Sequence, residues 1–192
     1  MINIGFVIDN NYCKYTAVVI ASILKSGKDN EYAFHIIHDG SISQYNKDKI
    51  NELKKIKDFS ITYYAQNKEL HHEQRKDTRS DIPMVTNYRM MISSILKDIE
   101  KIIFMDADLI VVNDIKELWD IDVENYYIAC CSSESSPFID DYKKEIGIPN
   151  EYNYCNTGVM LANLKKWRDD GIESKLFEKE KQYRGIYSFY DQ

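Results

Sequence analysis

The chain of 192 residues is 44% hydrophobic and 29% charged, with 31 Asp and Glu against 25 Lys and Arg. That is enough length for one domain with a sizeable core, and a formal charge of −6 argues against a nucleic-acid partner, which would call for a basic stripe. No apolar run of about 18 residues occurs, so no transmembrane helix is expected, and the segment from Met1 to Asp9 lacks the basic leader and cleavage pattern of a secretory signal.

Taken in chain order, strand-like and helix-like patterns alternate. Ile2 to Ile8 reads as a buried strand, and Ala17, Ile20, Ala21 and Leu24 recur behind it at helical spacing. Tyr32 to Ile37 is a second strand. Ile50, Leu53 and Ile56 mark a helix with a lysine-rich outer face, and Phe59 to Tyr64 is a third strand. Gln66 to Asp81 is polar, charged and aperiodic, a surface excursion rather than a linker. Met91, Ile92, Ile95 and Leu96 mark another helix. Lys101 to Asp106 is a strand, followed by a short one from Leu109 to Val112. Tyr126 to Cys131 and Gly158 to Leu161 are further strands. A helix begins near Asn163, and another covers about Ile172 to Tyr183. This alternation predicts an α/β class and a single domain over residues 1–192. Cys13, Cys130, Cys131 and Cys155 fit neither a zinc knuckle nor a disulfide framework and read as buried reduced thiols of a cytoplasmic protein.

The chemistry concentrates at predicted strand ends, where open α/β sheets bind ligands. Phe104-Met105-Asp106-Ala107-Asp108 places two acids inside an apolar run. Carboxylates so close repel unless a cation sits between them, and hard oxygen ligands suit Mg²⁺ or Mn²⁺. The other reading is a pair of strand-end acids that cap a turn. Asp9, Asn11 and Tyr12 follow the first strand. They offer either hydrogen bonds and a stacking ring for a nucleobase or an N-cap for the next helix. Arg89 opens an apolar helix and reads as a clamp for a carboxylate or a diphosphate, or as an exposed helix arginine. Asn156-Thr157-Gly158 precedes an apolar strand. It is either a simple turn or a sugar contact with close backbone approach at the glycine. His71 and His72 lie in the polar stretch and read as solvated, and His35 and His38 as structural. No G-x-G-x-x-G or Walker loop is present, and no Ser or Cys nucleophile stands near a base.

Three stretches together resemble glycosyltransferase family 8, the group of glycogenin and the bacterial lipopolysaccharide glucosyl- and galactosyltransferases. They are Asp9-Asn10-Asn11-Tyr12 with Ala21-Ser22-Ile23-Leu24; Tyr88-Arg89 with Ile103 to Val111 and Asp114 to Trp119; and Tyr154 to Trp167. The resemblance implies a Rossmann-like nucleotide-diphospho-sugar transferase fold of the glycosyltransferase A type, with a mixed, mainly parallel sheet and flanking helices. It implies a UDP-sugar donor, UDP-glucose or UDP-galactose, with Mn²⁺ or Mg²⁺ held by Asp106 and Asp108. Asp9, Asn11 and Tyr12 would hold the uridine. Asp106 and Ala107 would touch the donor, Arg89 would support its sugar or diphosphate, and Asn156 and Thr157 would contact the sugar. Many relatives carry Ala where this chain has Thr157. The ending Tyr190-Asp191-Gln192 resembles the start of the family's Asp-Gln-Asp motif, with Gln192 beneath the anomeric carbon and Asp191 on the sugar. Relatives continue further, supplying a third metal ligand, so the stretch resembles a truncated catalytic domain, from which no turnover and at most weakened donor binding are expected.

By this resemblance the acceptor is a saccharide or glycolipid of cell-surface polysaccharide or lipopolysaccharide synthesis, and the protein is cytoplasmic or peripheral to the inner face of the membrane. Two alternatives are a binding-only nucleotide-sugar module and a haloacid-dehalogenase-like phosphatase. The latter also places Asp-x-Asp after a buried strand, but near the N-terminus and followed by Gly or Thr, whereas here Leu109 follows.

Overall fold

Among the described residues six strands form one sheet in the order β3-β2-β1-β4-β6-β5. The computed structural model describes residues 1–66, 84–133 and 137–183. The strands β1 (Ile2–Val7), β2 (Tyr32–His38), β3 (Ser60–Ala65) and β4 (Lys101–Met105) run parallel, with Gly5 facing His35 on one side and Phe104 on the other. β2 is buried along its whole length, as expected of a parallel strand covered on both faces. β6 (Cys155–Asn163) is antiparallel to β4 and to the edge strand β5 (Ile128–Ser132). The sheet is therefore mixed and mainly parallel, as the α/β pattern and the resemblance imply.

Helix α1 (Cys13–Ser26) lays Val19, Ile20, Ile23 and Leu24 on one face of the sheet, where they meet Ile4, Phe6 and Phe34. α2 (Gln44–Asn51), capped by the Ser43 hydroxyl, adds Ile50 to the same core. On the other face Tyr88 and Ile92 join Phe104, Met160 and Trp167. Ile92 opens the short helix α3 (Ile92–Ile95), which continues a 3₁₀ segment, Met84–Met91. α4 (Lys116–Trp119) and α5 (Pro137–Glu145) come next. α6 (Leu164–Asp169) continues straight from β6, with Asn163 as its side-chain cap, and α7 (Ile172–Tyr183) begins after a left-handed Gly171. Among the described residues no helix is long and apolar enough to cross a membrane.

One polar line crosses the sheet. The Tyr64 hydroxyl lies 3.1 Å from His35 Nδ1, His35 Nε2 lies 3.1 Å from Asn3 Oδ1, and Asn3 Nδ2 donates to the Lys101 carbonyl. His35 is 5% exposed, and burial lowers its pKa to about 4, so the imidazole is neutral and structural.

Three expectations are corrected. Leu109 to Val112 is not a strand. Val111 N donates to the Ser22 hydroxyl of α1 instead of to a neighbouring strand, while Leu109 and Val111 pack inward. α5, with Tyr142 buried, falls where the sequence pattern marks no element. Cys130 and Cys155 are not reduced thiols. They form a disulfide between β5 and β6, with Cα atoms 6.3 Å apart, within the span such a bridge needs. Cys13 is the buried free thiol, and Cys131 is exposed.

Candidate active site

The carboxyl ends of β1 and β4 lie side by side, at the point where the strand order turns outward in both directions. The chain leaves β1 through Asp9. The Asp9 carboxylate accepts from Asn11 N at 2.8 Å and Tyr12 N at 3.1 Å, and from the Asn11 side chain. It thus caps the 3₁₀ turn Asn10–Tyr12 that leads into α1. Asn10 ties this turn to the next loop: its Oδ1 accepts from Ser43 N and Asn46 Nδ2, and its own N donates to the Ser41 hydroxyl. Asn11 and Tyr12 remain exposed, Tyr12 tilted against Tyr15 at 5.6 Å. The nearby Cys13 thiol is pushed up to about 11 by burial and then by the Asp9 carboxylate, so it stays protonated and is no nucleophile.

β4 ends at Met105, and Asp106 is the next residue. Its backbone N donates to the Gly158 carbonyl at 2.8 Å, so the start of β6 is hydrogen-bonded to the acidic turn. The β5–β6 register explains why β6 reaches there. Cys130 faces Met160 and Cys131 faces Asn156, so Thr157, Gly158 and Val159 have no partner on β5. They bulge toward β4, and the disulfide ties the two flanks of that bulge. Asn156 Oδ1 accepts from Gly158 N at 2.9 Å. A Cβ on Gly158 would stand 2.9 Å from Asp106 Oδ2 and 3.0 Å from Asn156 Oδ1. Only glycine lets the strand pass this close.

Arg89 closes the arrangement. Its side chain is only 9% exposed, and its Nη2 pairs with Asp106 Oδ1. Nη1 lies 3.3 Å from the Thr157 carbonyl and 3.4 Å from its hydroxyl, and the guanidinium sits over the Phe104 ring at 5.5 Å. The exposed-arginine reading is therefore overturned. A buried guanidinium needs a charged partner, and the Asp106 carboxylate is that partner.

The sequence-derived residues accordingly fall into two groups. Arg89, Asp106, Asn156 and Thr157 converge, with Asp108 exposed on the same turn and Ala107 turned into the core at 7% exposure. Asp9, Asn11 and Tyr12 form the neighbouring turn. Asp191 and Gln192, and likewise His71 and His72, lie outside the described residues. Sequence reasoning missed Asn10 as a tether and Phe104 as the platform under Arg89. Their signals, an Asn between two capping-prone residues and an aromatic just before the acids, are common ones. Asp106 and Asp108 offer hard carboxylate oxygens, and no side chain at Gly158 covers Asp106 Oδ2. The pair suits a hard divalent cation, although among the described residues no group of three His, Cys, Asp or Glu gathers around such a site.

Comparison with known proteins identifies a family and a fold. Residues 3–192 match the family model described as glycosyl transferase family 8. A Haemophilus influenzae protein that carries a glycosyltransferase assignment is 34% identical over 99% of this chain and 57% of its own length. The lipopolysaccharide 1,2-glucosyltransferase of Escherichia coli is 25% identical over 92% of the chain and 51% of its own. The chain spans a little over half the length of these relatives. Among solved structures, the galactosyltransferase LgtC, crystallised with donor and acceptor sugar analogues, superposes with a TM-score of 0.86 at 27% identity, covering 99% of this chain and 68% of LgtC.

Proposed function

The chain belongs to glycosyltransferase family 8, and from that premise we propose that it forms the donor-binding part of an enzyme that moves a hexose from a UDP-sugar to an acceptor hydroxyl with retention of configuration. The carrying observation is the convergence of Arg89, Asp106 and the Thr157–Gly158 bulge at the carboxyl ends of β1 and β4. A buried cation, an acidic turn and a strand with no side chain at Gly158 are groups suited to a charged diphosphate and its sugar.

In this reading each residue has a defined task. The Asp9–Tyr12 turn receives the uridine: the exposed Asn11 amide and Tyr12 ring meet the base, and Asp9 keeps the turn in shape. Asp106 and Asp108 would hold Mn²⁺ or Mg²⁺. Such a cation, when bound, neutralises charge on the departing diphosphate. Arg89 orients Asp106 by occupying Oδ1, which leaves Oδ2 for the cation beside the side-chain-free Gly158. Asn156 and Thr157 border the sugar, and Ala107 contributes backbone only. Asp191 and Gln192 are assigned to the sugar and its anomeric carbon by the family resemblance alone. The donor is UDP-glucose or UDP-galactose and the acceptor a saccharide or glycolipid of cell-surface polysaccharide or lipopolysaccharide synthesis. By the family resemblance alone the protein works in the cytoplasm or at the inner face of the membrane, with residues 1–192 as one domain.

Calorimetric titration of UDP into the chain with Mn²⁺, then with EDTA, and with GDP as control, tests the reading. Metal-dependent binding selective for UDP is the expected result. Equal affinity for GDP, or binding indifferent to EDTA, would overturn it.

A further inference from the structure

Arg89 is held from behind as well as from in front. The stretch between it and β4, which includes α3, is gripped by two charged side chains, one on α6 and one on α7. Glu173, in the first turn of α7, accepts from the Ser93 hydroxyl at 2.8 Å, from Ser94 N at 3.2 Å and from the Ser94 hydroxyl at 2.8 Å. Arg168 of α6 donates to the Ser93 and Leu96 carbonyls, both at 3.2 Å, and to the Ile99 carbonyl at 2.9 Å. Ser93 is 2% exposed, and Tyr88 and Ile92 are fully buried. The Arg89 segment therefore cannot turn or slide without breaking charge-assisted hydrogen bonds at a site where water replaces few of them.

The connectivity closes a ring. Thr157 lies in β6, β6 runs directly into α6, and α7 returns through Glu173 to the segment that carries Arg89. The Arg89 guanidinium then comes back to Thr157 and Asp106. We propose that Glu173, with Arg168, is a positioning residue for the donor site: it fixes where Arg89 meets Asp106 and Thr157. It touches neither donor nor metal. Resting on the function proposed above, this role makes the α6–α7 unit part of the donor-binding machinery.

The test pairs a ligand-free readout with a ligand-dependent one. In ¹⁵N spectra of the arginine side chains, the Arg89 guanidinium should give slow, resolved signals in the parent chain and in Glu173→Gln, which keeps the shape and an acceptor oxygen. The signals should average in Glu173→Ala. In the presence of Mn²⁺, Glu173→Ala should weaken UDP-sugar binding on the order of tenfold, as small displacements of site groups do. Glu173→Gln should restore most of that loss. The loss should vanish in an Arg89→Lys background, since two residues acting through one contact are non-additive. Ser94→Ala, which removes the Ser94 hydroxyl's links to Glu173 and to the Met91 carbonyl and leaves the Ser93 and Ser94 N contacts of Glu173 in place, should give a smaller loss of the same kind and serves if Glu173→Ala does not fold. Unchanged Arg89 signals in a folded variant, or losses that simply add, would overturn the proposal. If the parent chain binds no UDP-sugar, the donor reading fails by itself, and the Arg89 signals still decide the positioning role.

Discussion

The turns at Asp9 and Asp106 stand at the ends of neighbouring strands, and their carboxylates are satisfied in opposite ways. Asp9 turns inward on its own turn and accepts from the amides two and three residues ahead. Asp106 reaches a guanidinium 17 residues back in sequence, on another element and on the far face of the sheet. The first arrangement forms as soon as the local turn forms. The second exists only once β4, β6 and the Arg89 segment are all in place. A locally satisfied acid is a rigid fixture, whereas one satisfied by a distant cation can rebalance when a ligand adds charge. The difference agrees with the tasks proposed for the two turns, holding a base at one and chemistry at the other.

Breaking the distant partnership should cost most. Asp106→Asn is expected to lower Mn²⁺-dependent UDP binding by about 100-fold, on the scale of losing a metal-ligand interaction, measured by the same calorimetry. Near-parent affinity would show that the Asp106 turn is not the metal-binding one.

A perturbation that touches neither turn calibrates the comparison. His35 binds a proton at about 4 in the fold but near 6.5 when unfolded. The unfolded chain therefore takes up protons first as pH falls. Stability from this group is full above about pH 6.5 and declines through the window down to about 4. Between pH 7.5 and 5 the expected loss is about 2 kcal/mol, read from urea midpoints, and His35→Gln should flatten that dependence.

Gly158→Ala sharpens the contrast. The new methyl would press on Asp106 Oδ2 and Asn156 Oδ1, the movable ends of side chains, so the melting temperature should shift by no more than a few degrees. The carboxylate would have to yield, and UDP affinity should fall by about tenfold. Asp9→Ala should behave in the reverse manner, costing about 1 kcal/mol of stability as the loss of an N-cap does. Asp9→Asn, which caps as well, should cost only a few tenths. An Asp9→Asn variant as destabilised as Asp9→Ala would mean that the charge, not the cap, holds that turn.

The same contrast explains what could be read in advance. The strands Ile2–Val7, Tyr32–His38 and Lys101–Met105 were legible because mostly apolar runs between polar turns suit covered parallel strands. The acids were legible because carboxylates inside such runs are costly. Their partners were not. Nothing near Arg89 says that it lies over Phe104 to reach Asp106, and nothing near Cys155 says that it bridges to Cys130, 25 residues away. Leu109 to Val112 misled because its in-out alternation is real, while its backbone bonds go to a helix hydroxyl. Periodicity reports which side chains are buried; it does not report which backbone answers them.

The line from Tyr64 through His35 and Asn3 to the Lys101 carbonyl also has a meaning for assembly. Three parallel strands rich in Ile and Phe could pair in several offsets with nearly equal burial, and a shift by one residue would reverse every face. Only one offset lets a tyrosine hydroxyl, an imidazole, an amide and a carbonyl meet end to end across four strands. Any other leaves a histidine stranded among hydrocarbon. The line thus works as an alignment mark: it adds little to the strength of the finished sheet but makes the misaligned ones costly, so that the ends of β1 and β4 arrive level with each other.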